Sequence, residues 1–188
     1  MSPRAFPGSP PPARAAATPQ TGVPAPLREV MARFATGVIV LTVGGSRVHG
    51  MTANAFSAVS LDPPRVLCCV AHTAVMHRAL TTEGRFGVSI LSGGQEETAR
   101  YFADKSRPLG PAQFDAVDCR PGPATRAPLL DGALAWLECD VVDAYVSGDH
   151  SIFVGEVVSS VRGDADVALL FFDGAFQLAN STRQPPSR

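Results

Sequence analysis

The sequence predicts a mainly β fold, a closed antiparallel barrel carrying two or three short helices. Apolar runs of strand length recur along the chain, at 38–43, 65–71, 85–91, 133–146, 151–161, 167–172 and 175–178. Tight-turn residues separate several of them, as at Gly44-Gly45, Asp62-Pro63-Pro64, Ser147-Gly148-Asp149 and Asp173-Gly174. Helical apolar spacing is confined to short stretches between these runs, so helices can only decorate a sheet that closes on itself. The 188 residues, with 45% hydrophobic and 18% charged, suffice for one domain with its own core.

Taken in order, residues 1–26 read as a disordered Pro/Ala-rich tail, because eight of the 17 prolines fall within residues 1–28. The domain follows over 27–180, and 181–188 reads as a second disordered tail. Leu27, Val30, Met31 and Phe34 fall at i, i+3, i+4 and i+7, one apolar stripe of a short helix that Gly37 ends. The run 38–43, the Gly44-Gly45 turn and a second stretch from Ser46 predict a hairpin. Arg65–Ala71 is nearly all apolar and predicts a central strand. A helix over 73–82 turns Val75, Met76, Ala79 and Leu80 inward, and a strand spans Arg85–Leu91. Gln95–Lys105 reads as a helix with Glu early and Lys late, as the helix dipole prefers. Five prolines between 106 and 131 predict a long surface loop. From Gly132 the pattern is strands to the end of the domain.

Charge and motifs remove several function classes. The net charge of −1 hides tips of +3 (residues 1–28) and +2 (181–188), which leave −6 on residues 29–180. An acidic domain is a poor partner for nucleic acid, which needs a basic face. No apolar run reaches the ~18 residues of a spanning helix, and the start lacks the apolar stretch of a secretory signal. Arg and Ala without acids suit a transit peptide, but the prolines would break its amphipathic helix. The four cysteines form no CxxC, so neither a disulfide framework nor a zinc site is expected, and buried thiols of a cytoplasmic protein are the default. GxGxxG after a strand, GxxxxGK[ST], HExxH and GxSxG are all absent, which argues against dinucleotide-fold, P-loop, zinc-protease and hydrolase chemistry.

Two stretches remain. Gly50-Met51-Thr52-Ala53-Asn54-Ala55-Phe56-Ser57-Ala58-Val59-Ser60 combines small residues, which admit a flat ligand to the backbone, with donors and acceptors for the edge of a heterocycle. By itself it reads equally as an ordinary strand pair with small residues on one face. Ser147-Gly148-Asp149-His150 places an imidazole at the head of a strand, at a barrel rim; alone, it reads as a turn with an exposed histidine. His72 and His77, five apart, share no helical face, so a metal pair is not expected. Apolar strands at Arg65–Ala71 and Gly132–Leu137 predict more apolar surface than one small barrel covers, hence a homodimer.

Read together, the segments FATGVIVLT, GMTANAFSAVSLDPPRVLCCV, GRFGVSIL, FA-x-K, GALAWLEC, GDHSIFVGEV and LLFFDGAF occur in an order that resembles the flavin reductase family. These are the small components of two-component flavin-dependent monooxygenases. The likeness runs from about Leu27 to Leu178. It implies a flavin-binding split β-barrel, a homodimer that passes hydride from NADH or NADPH to FAD or FMN. Reduced flavin then leaves for a separate monooxygenase. By the resemblance, Gly50, Met51, Thr52, Ala53, Asn54, Ala55 and Ser57 line the isoalloxazine, with His49 beside them. Cys69, Val70, Ala71, His72 and Thr73 meet the ribityl phosphate at a strand end and helix start. Tyr101, Phe102 and Lys105 close that side. His150, orienting the nicotinamide or supplying a proton, forms the nicotinamide side with Asp173, Gly174, Ala175 and Phe176.

Three departures bear on affinity. Ala55 and Ala58 stand where the family often has serine, Ser89 stands where asparagine is usual, and the phosphate turn lacks a second serine. A weakly held flavin, bound and released as a substrate, suits such a site. The same barrel also serves a flavin store or sensor without turnover, or an oxidase resembling pyridoxamine-phosphate oxidase.

Overall fold

The computed structural model describes residues 23–180, so most of the predicted N-terminal tail and all of 181–188 lie outside the described residues. In chain order the elements are α1 (Leu27–Ala32), β1 (Thr36–Gly37), β2 (Ile39–Val43), β3 (His49–Ala53), β4 (Phe56–Leu61) and β5 (Pro64–Ala71). There follow α2 (Val75–Glu83), β6 (Arg85–Ile90), α3 (Glu96–Ala103), β7 (Cys119–Pro121) and β8 (Pro128–Leu130). The last four are β9 (Ala135–Ser147), β10 (His150–Arg162), β11 (Val167–Phe172) and β12 (Ala175–Asn180). The mainly β expectation holds. No helix among the described residues is long and apolar enough to cross a membrane.

Seven strands form one antiparallel sheet in the order β3-β2-β6-β9-β10-β5-β4. Its two edge strands, β3 and β4, are consecutive in the chain and joined only by Asn54-Ala55. The sheet therefore curls until its ends are two residues apart, while no ladder joins them among the described residues. This is a barrel split along one seam. A second sheet, β1-β11-β12, is linked to it through the Ser92–Ala168 bridge.

The strand period of two explains the core. All of β2 is buried, and its side chains alternate between two layers. Ile39, Leu41 and Val43 pack with Phe86, Val88 and Phe153 inside the barrel and with Met76 and Leu80 of α2. Val40, with Val38 just before the strand, packs with Leu91, Phe102, Leu130 and Leu169. Gly84 ends α2 at φ +65°, where a side chain would be strained, and its N–H closes the helix on Leu80 O at 3.0 Å.

Several expectations need correction. The first helix ends at Ala32, and Gly37 pairs with Leu170 instead of stopping it. Its apolar stripe faces outward: Leu27 is 74% and Phe34 65% exposed. The Gly44-Gly45 hairpin turns through a short 3-10 segment, so its second strand starts at His49, not Ser46. Val75 also faces out, because α2 begins there and its buried face is Met76, Ala79 and Leu80. Residues 106–131 are not a plain surface loop. They bury Gln113, Ala127, Leu129 and Leu130 and form the β7–β8 hairpin. The buried carboxylate of Glu138 holds the turn of that hairpin, accepting the N–H groups of Ala124 (3.0 Å) and Thr125 (2.7 Å). The apolar segments expected to need a partner are largely satisfied within one chain, since β5 buries alternate residues and Ala133 and Trp136 are buried. Exposed apolar side chains lie instead on α1, on the far end of β9, where Val146 is 80% exposed, and on β4, β10 and β12, as at Leu61, Val161 and Leu178.

Candidate active site

A cleft of about 490 Å³ opens at the barrel seam. One wall is strand: Met51–Ala53 of β3, the Asn54-Ala55 link, and Cys69–Ala71 at the end of β5. The other is helix end and loop, made by Phe102 and Ala103 of α3 followed by Lys105, Arg107 and Leu109. Thr73, Ala74 and Val75 at the start of α2 and His150 at the head of β10 complete it. Alanine at 53, 55, 71, 74 and 103 leaves backbone groups within reach of a flat ligand.

The loop wall is held by polar contacts. Helix α3 stops at Ala103 because Asp104 turns extended, and the Asp104 carboxylate accepts the Ser106 N–H at 2.8 Å. That bond and the Ser106 hydroxyl hold the Asp104 carboxyl below its usual range. The Arg107 guanidinium donates to Gly50 O and Asp104 O and lies 5.8 Å from the centre of the Phe102 ring. Gln113, fully buried, ties this loop to β3: its Oε1 accepts the Gly50 N–H at 2.8 Å, and its Nε2 donates to Gly110 O at 2.7 Å.

His49 sits between the two walls. Burial, and then the Arg107 charge, pull its imidazole down to about 4, so it is neutral at pH 7. Its Nε2 lies 3.4 Å from Arg107 Nη2, a donor, which assigns the ring proton to Nδ1. That Nδ1 is buried without a partner. At the rim, His150 Nδ1 is 2.7 Å from Asp149 Oδ1, and this bond holds the Asp149 carboxyl below its usual range. With Nδ1 so engaged, Nε2 is the nitrogen His150 has left for a ligand. Burial pushes the Cys68 and Cys139 thiols up to about 12, so neither is a nucleophile near neutral pH. The lining holds two fixed cations, Lys105 and Arg107, two histidines and no carboxylate.

The structure thus gathers His49, Met51, Thr52, Ala53, Asn54, Ala55, Cys69, Val70, Ala71, Thr73, Phe102, Lys105 and His150 on one cleft. Other expected site residues stand apart. Gly50 packs beneath: a Cβ there would lie 2.6 Å from the Phe102 ring. Ser57 is exposed on β4 and bonds Ala58 O, and Tyr101 braces the loop by donating to Gln113 O at 2.9 Å. His72 is exposed, with Nε2 3.2 Å from Ser151 Oγ, which His77 Nε2 also meets at 2.8 Å. Their rings lie 5.1 Å apart because His72 sits in the turn before α2, where helical spacing does not apply. Asp173 pairs with Arg33 at 2.8 Å, and Gly174 and Ala175 are exposed. Phe176 lines a second cavity of about 180 Å³, so the structure does not bring the 173–176 turn and His150 to the same cavity. Sequence reasoning missed Arg107, Leu109, Val75 and Gln113; the one available signal was a second cation two residues after Lys105.

Residues 31–179 match the family model described as "Flavin reductase like domain". The chain is 53% identical over 151 residues to an NADH-dependent FAD reductase of Streptomyces globisporus, covering 80% of this chain and 83% of that protein. The chain belongs to the flavin reductase family. Among solved structures, the flavin reductase component BorF of a bacterial two-component tryptophan halogenase superposes with TM-score 0.80 at 48% identity, covering 82% of this chain and 97% of that one. The Streptomyces globisporus NADH:FAD oxidoreductase SgcE6, in complex with NAD and FAD fragments, gives TM-score 0.76 at 49% identity, covering 85% and 92%. Within this flavin reductase, the family resemblance coincides with the seam: the matched segment begins inside α1 and ends in β12, so it contains every wall of the cleft.

Proposed function

We propose that the protein is an NADH-dependent flavin reductase that passes hydride to FAD or FMN and supplies reduced flavin to a separate monooxygenase. The observation that carries this is the acid-free cleft at the seam, with small residues on its strand wall and Lys105 and Arg107 on its loop wall. The relatives named above support it. The donor set fits a flavin nucleotide: alanines admit the ring, the Asn54 amide and the backbone offer partners to its polar edge, and two cations suit its phosphate.

A flavin bound here supplies the ring that accepts hydride from the nicotinamide. The protein supplies position and charge. The strand wall holds a near-attack pose by leaving backbone close to the ring. The Asp149–His150 pair presents an imidazole nitrogen that orients the nicotinamide or gives a proton. Among the described residues, groups of three or more His, Cys, Asp or Glu able to hold a metal do not occur.

The finer reading is a cytoplasmic homodimer whose domain spans 27–180. The outward apolar stripe of α1 and the exposed Val142, Tyr145 and Val146 of β9 support a second copy as its cover. A dimeric mass at micromolar protein is expected; a monomer with full activity overturns it. The test of function is NADH consumption with and without added flavin. Turnover that depends on free flavin is expected. A yellow protein that binds flavin without turnover would mark a flavin store, and oxygen-dependent turnover of a tightly held flavin would mark an oxidase.

A further inference from the structure

Outside the cleft, His72, His77 and Ser151 form a polar cluster. His77 Nε2 lies 2.8 Å and His72 Nε2 3.2 Å from the same atom, Ser151 Oγ. The two rings therefore aim their Nε2 atoms at one point, with ring centres 5.1 Å apart at 83°. Each member is held by its own element. Ser151 is buried in β10. His77 rides on α2, which is anchored by buried Met76, Ala79 and Leu80, and its ring meets Phe153 edge to face at 5.2 Å. The turn carrying His72 is tied to the β9–β10 hairpin, because the His72 N–H donates to Asp149 O at 3.0 Å. The Ser151 hydroxyl has one proton, so it can donate to one ring only, and the other ring must turn its own N–H toward the oxygen.

We propose that His72 and His77 together bind a divalent transition metal of the zinc type, which clamps one rim of the cleft. Zinc–imidazole bonds of about 2.0–2.1 Å at a tetrahedral angle place two ring centres roughly 5 Å apart. That spacing already exists here, so the rings need little movement to share an ion. His72 is exposed and gives the ion a path from solvent. The Asp149 carboxylate lies close enough to feel the charge of His72, and it adds attraction for a cation. Two imidazoles fall short of a group of three ligands, so water completes the coordination and the ion exchanges freely. Imidazole selects zinc, nickel or copper over magnesium, which demands oxygen. Position gives the ion its consequence. His72 leads into Thr73, Ala74 and Val75, which line the cleft, and Ser151 follows His150, which lines it too. A metal on this pair fastens the start of α2 to the turn beside it without entering the cleft, and the inference stands apart from the flavin reading.

Calorimetric titration of the untagged full-length protein with Zn²⁺ at neutral pH tests this, alongside His72→Gln and His77→Gln. The wild type is expected to take one ion per chain and to give no heat with Mg²⁺. Each substitution removes one ligand and keeps a polar side chain, and should weaken zinc by at least about tenfold, the scale on which even supporting contacts act at metal sites. Zinc should also raise the melting temperature of the wild type and leave that of either variant unchanged, since an ion that binds only the folded chain stabilises it by mass action. His72→Gln, at an exposed turn position, keeps the test open if His77→Gln fails to fold. Variants that melt lower but bind zinc like the wild type would reduce the trio to a structural hydrogen-bond cluster and overturn the site. Absence of zinc binding in the wild type, equal binding of Mg²⁺, or loss of zinc in Cys69→Ser or Cys119→Ser instead of the histidine variants each overturns it as well.

Discussion

The two walls of the cleft are built on different principles. The strand wall, Met51–Ala55 and Cys69–Ala71, carries no charge and gets its shape from the barrel ladder. The loop wall, from Phe102 to Leu109, carries both cations and gets its shape from side-chain contacts, chiefly those of Gln113 and Arg107. Rigid ladders suit ring placement, where a small displacement costs rate; long cationic side chains suit phosphate, where a charge needs only to be near. The comparison teaches that ring chemistry and nucleotide grip can be changed separately in this molecule.

The largest expected effect tests the strand side. His150→Ala should lower kcat or raise the KM for NADH by roughly 10–1,000-fold, with flavin affinity little changed. Steady-state kinetics and a flavin titration on the same variant check this. Weakened flavin with normal NADH kinetics would move His150 from nicotinamide to flavin and erase the division of labour.

A second effect concerns the joint between the walls. His49, held near 4 when folded, has an unfolded value of 6.5. The unfolded chain therefore binds the extra proton first as pH falls. Stability from keeping His49 neutral is complete above pH 6.5 and is lost as pH falls toward 4. The loss amounts to at most about 3 kcal/mol. Denaturant melts between these pH values should show a steeper acid loss for the wild type than for His49→Gln. Parallel curves would mean that the imidazole is not held neutral by burial and Arg107.

The smallest effect sharpens the loop side. Arg107→Gln should weaken FAD and FMN by about tenfold, the scale of one charge-assisted contact, and leave riboflavin, which lacks phosphate, unchanged. Equal weakening of riboflavin would show that the loop wall holds the ring as well.

The strand wall was legible in the sequence because its residues are contiguous: small side chains from Gly50 to Ala55 between apolar runs mark a backbone open to a ligand. The loop wall was not. Its residues sit in a proline-rich stretch, where periodicity carries no information and only tertiary contact reveals that Gln113 is buried. Strand order was equally hidden, since β9 reaches both β6 and β10 through pairings no local pattern encodes. For α1 the letters give the apolar period and not its direction, because a stripe that faces outward spells the same letters as one that faces a core.

The seam has one more consequence. Among the described residues, β3 and β4 each keep one side free of ladder bonds, and Asn54-Ala55 is the backbone that joins them. Widening the mouth of the cleft therefore breaks no backbone hydrogen bond of the sheet. What resists opening is side-chain contact between the walls, such as the bonds of Arg107 and Gln113 to Gly50, while the seven paired strands stay intact. A carrier that must hand over its cargo every cycle can thus open and shut without any excursion toward unfolding.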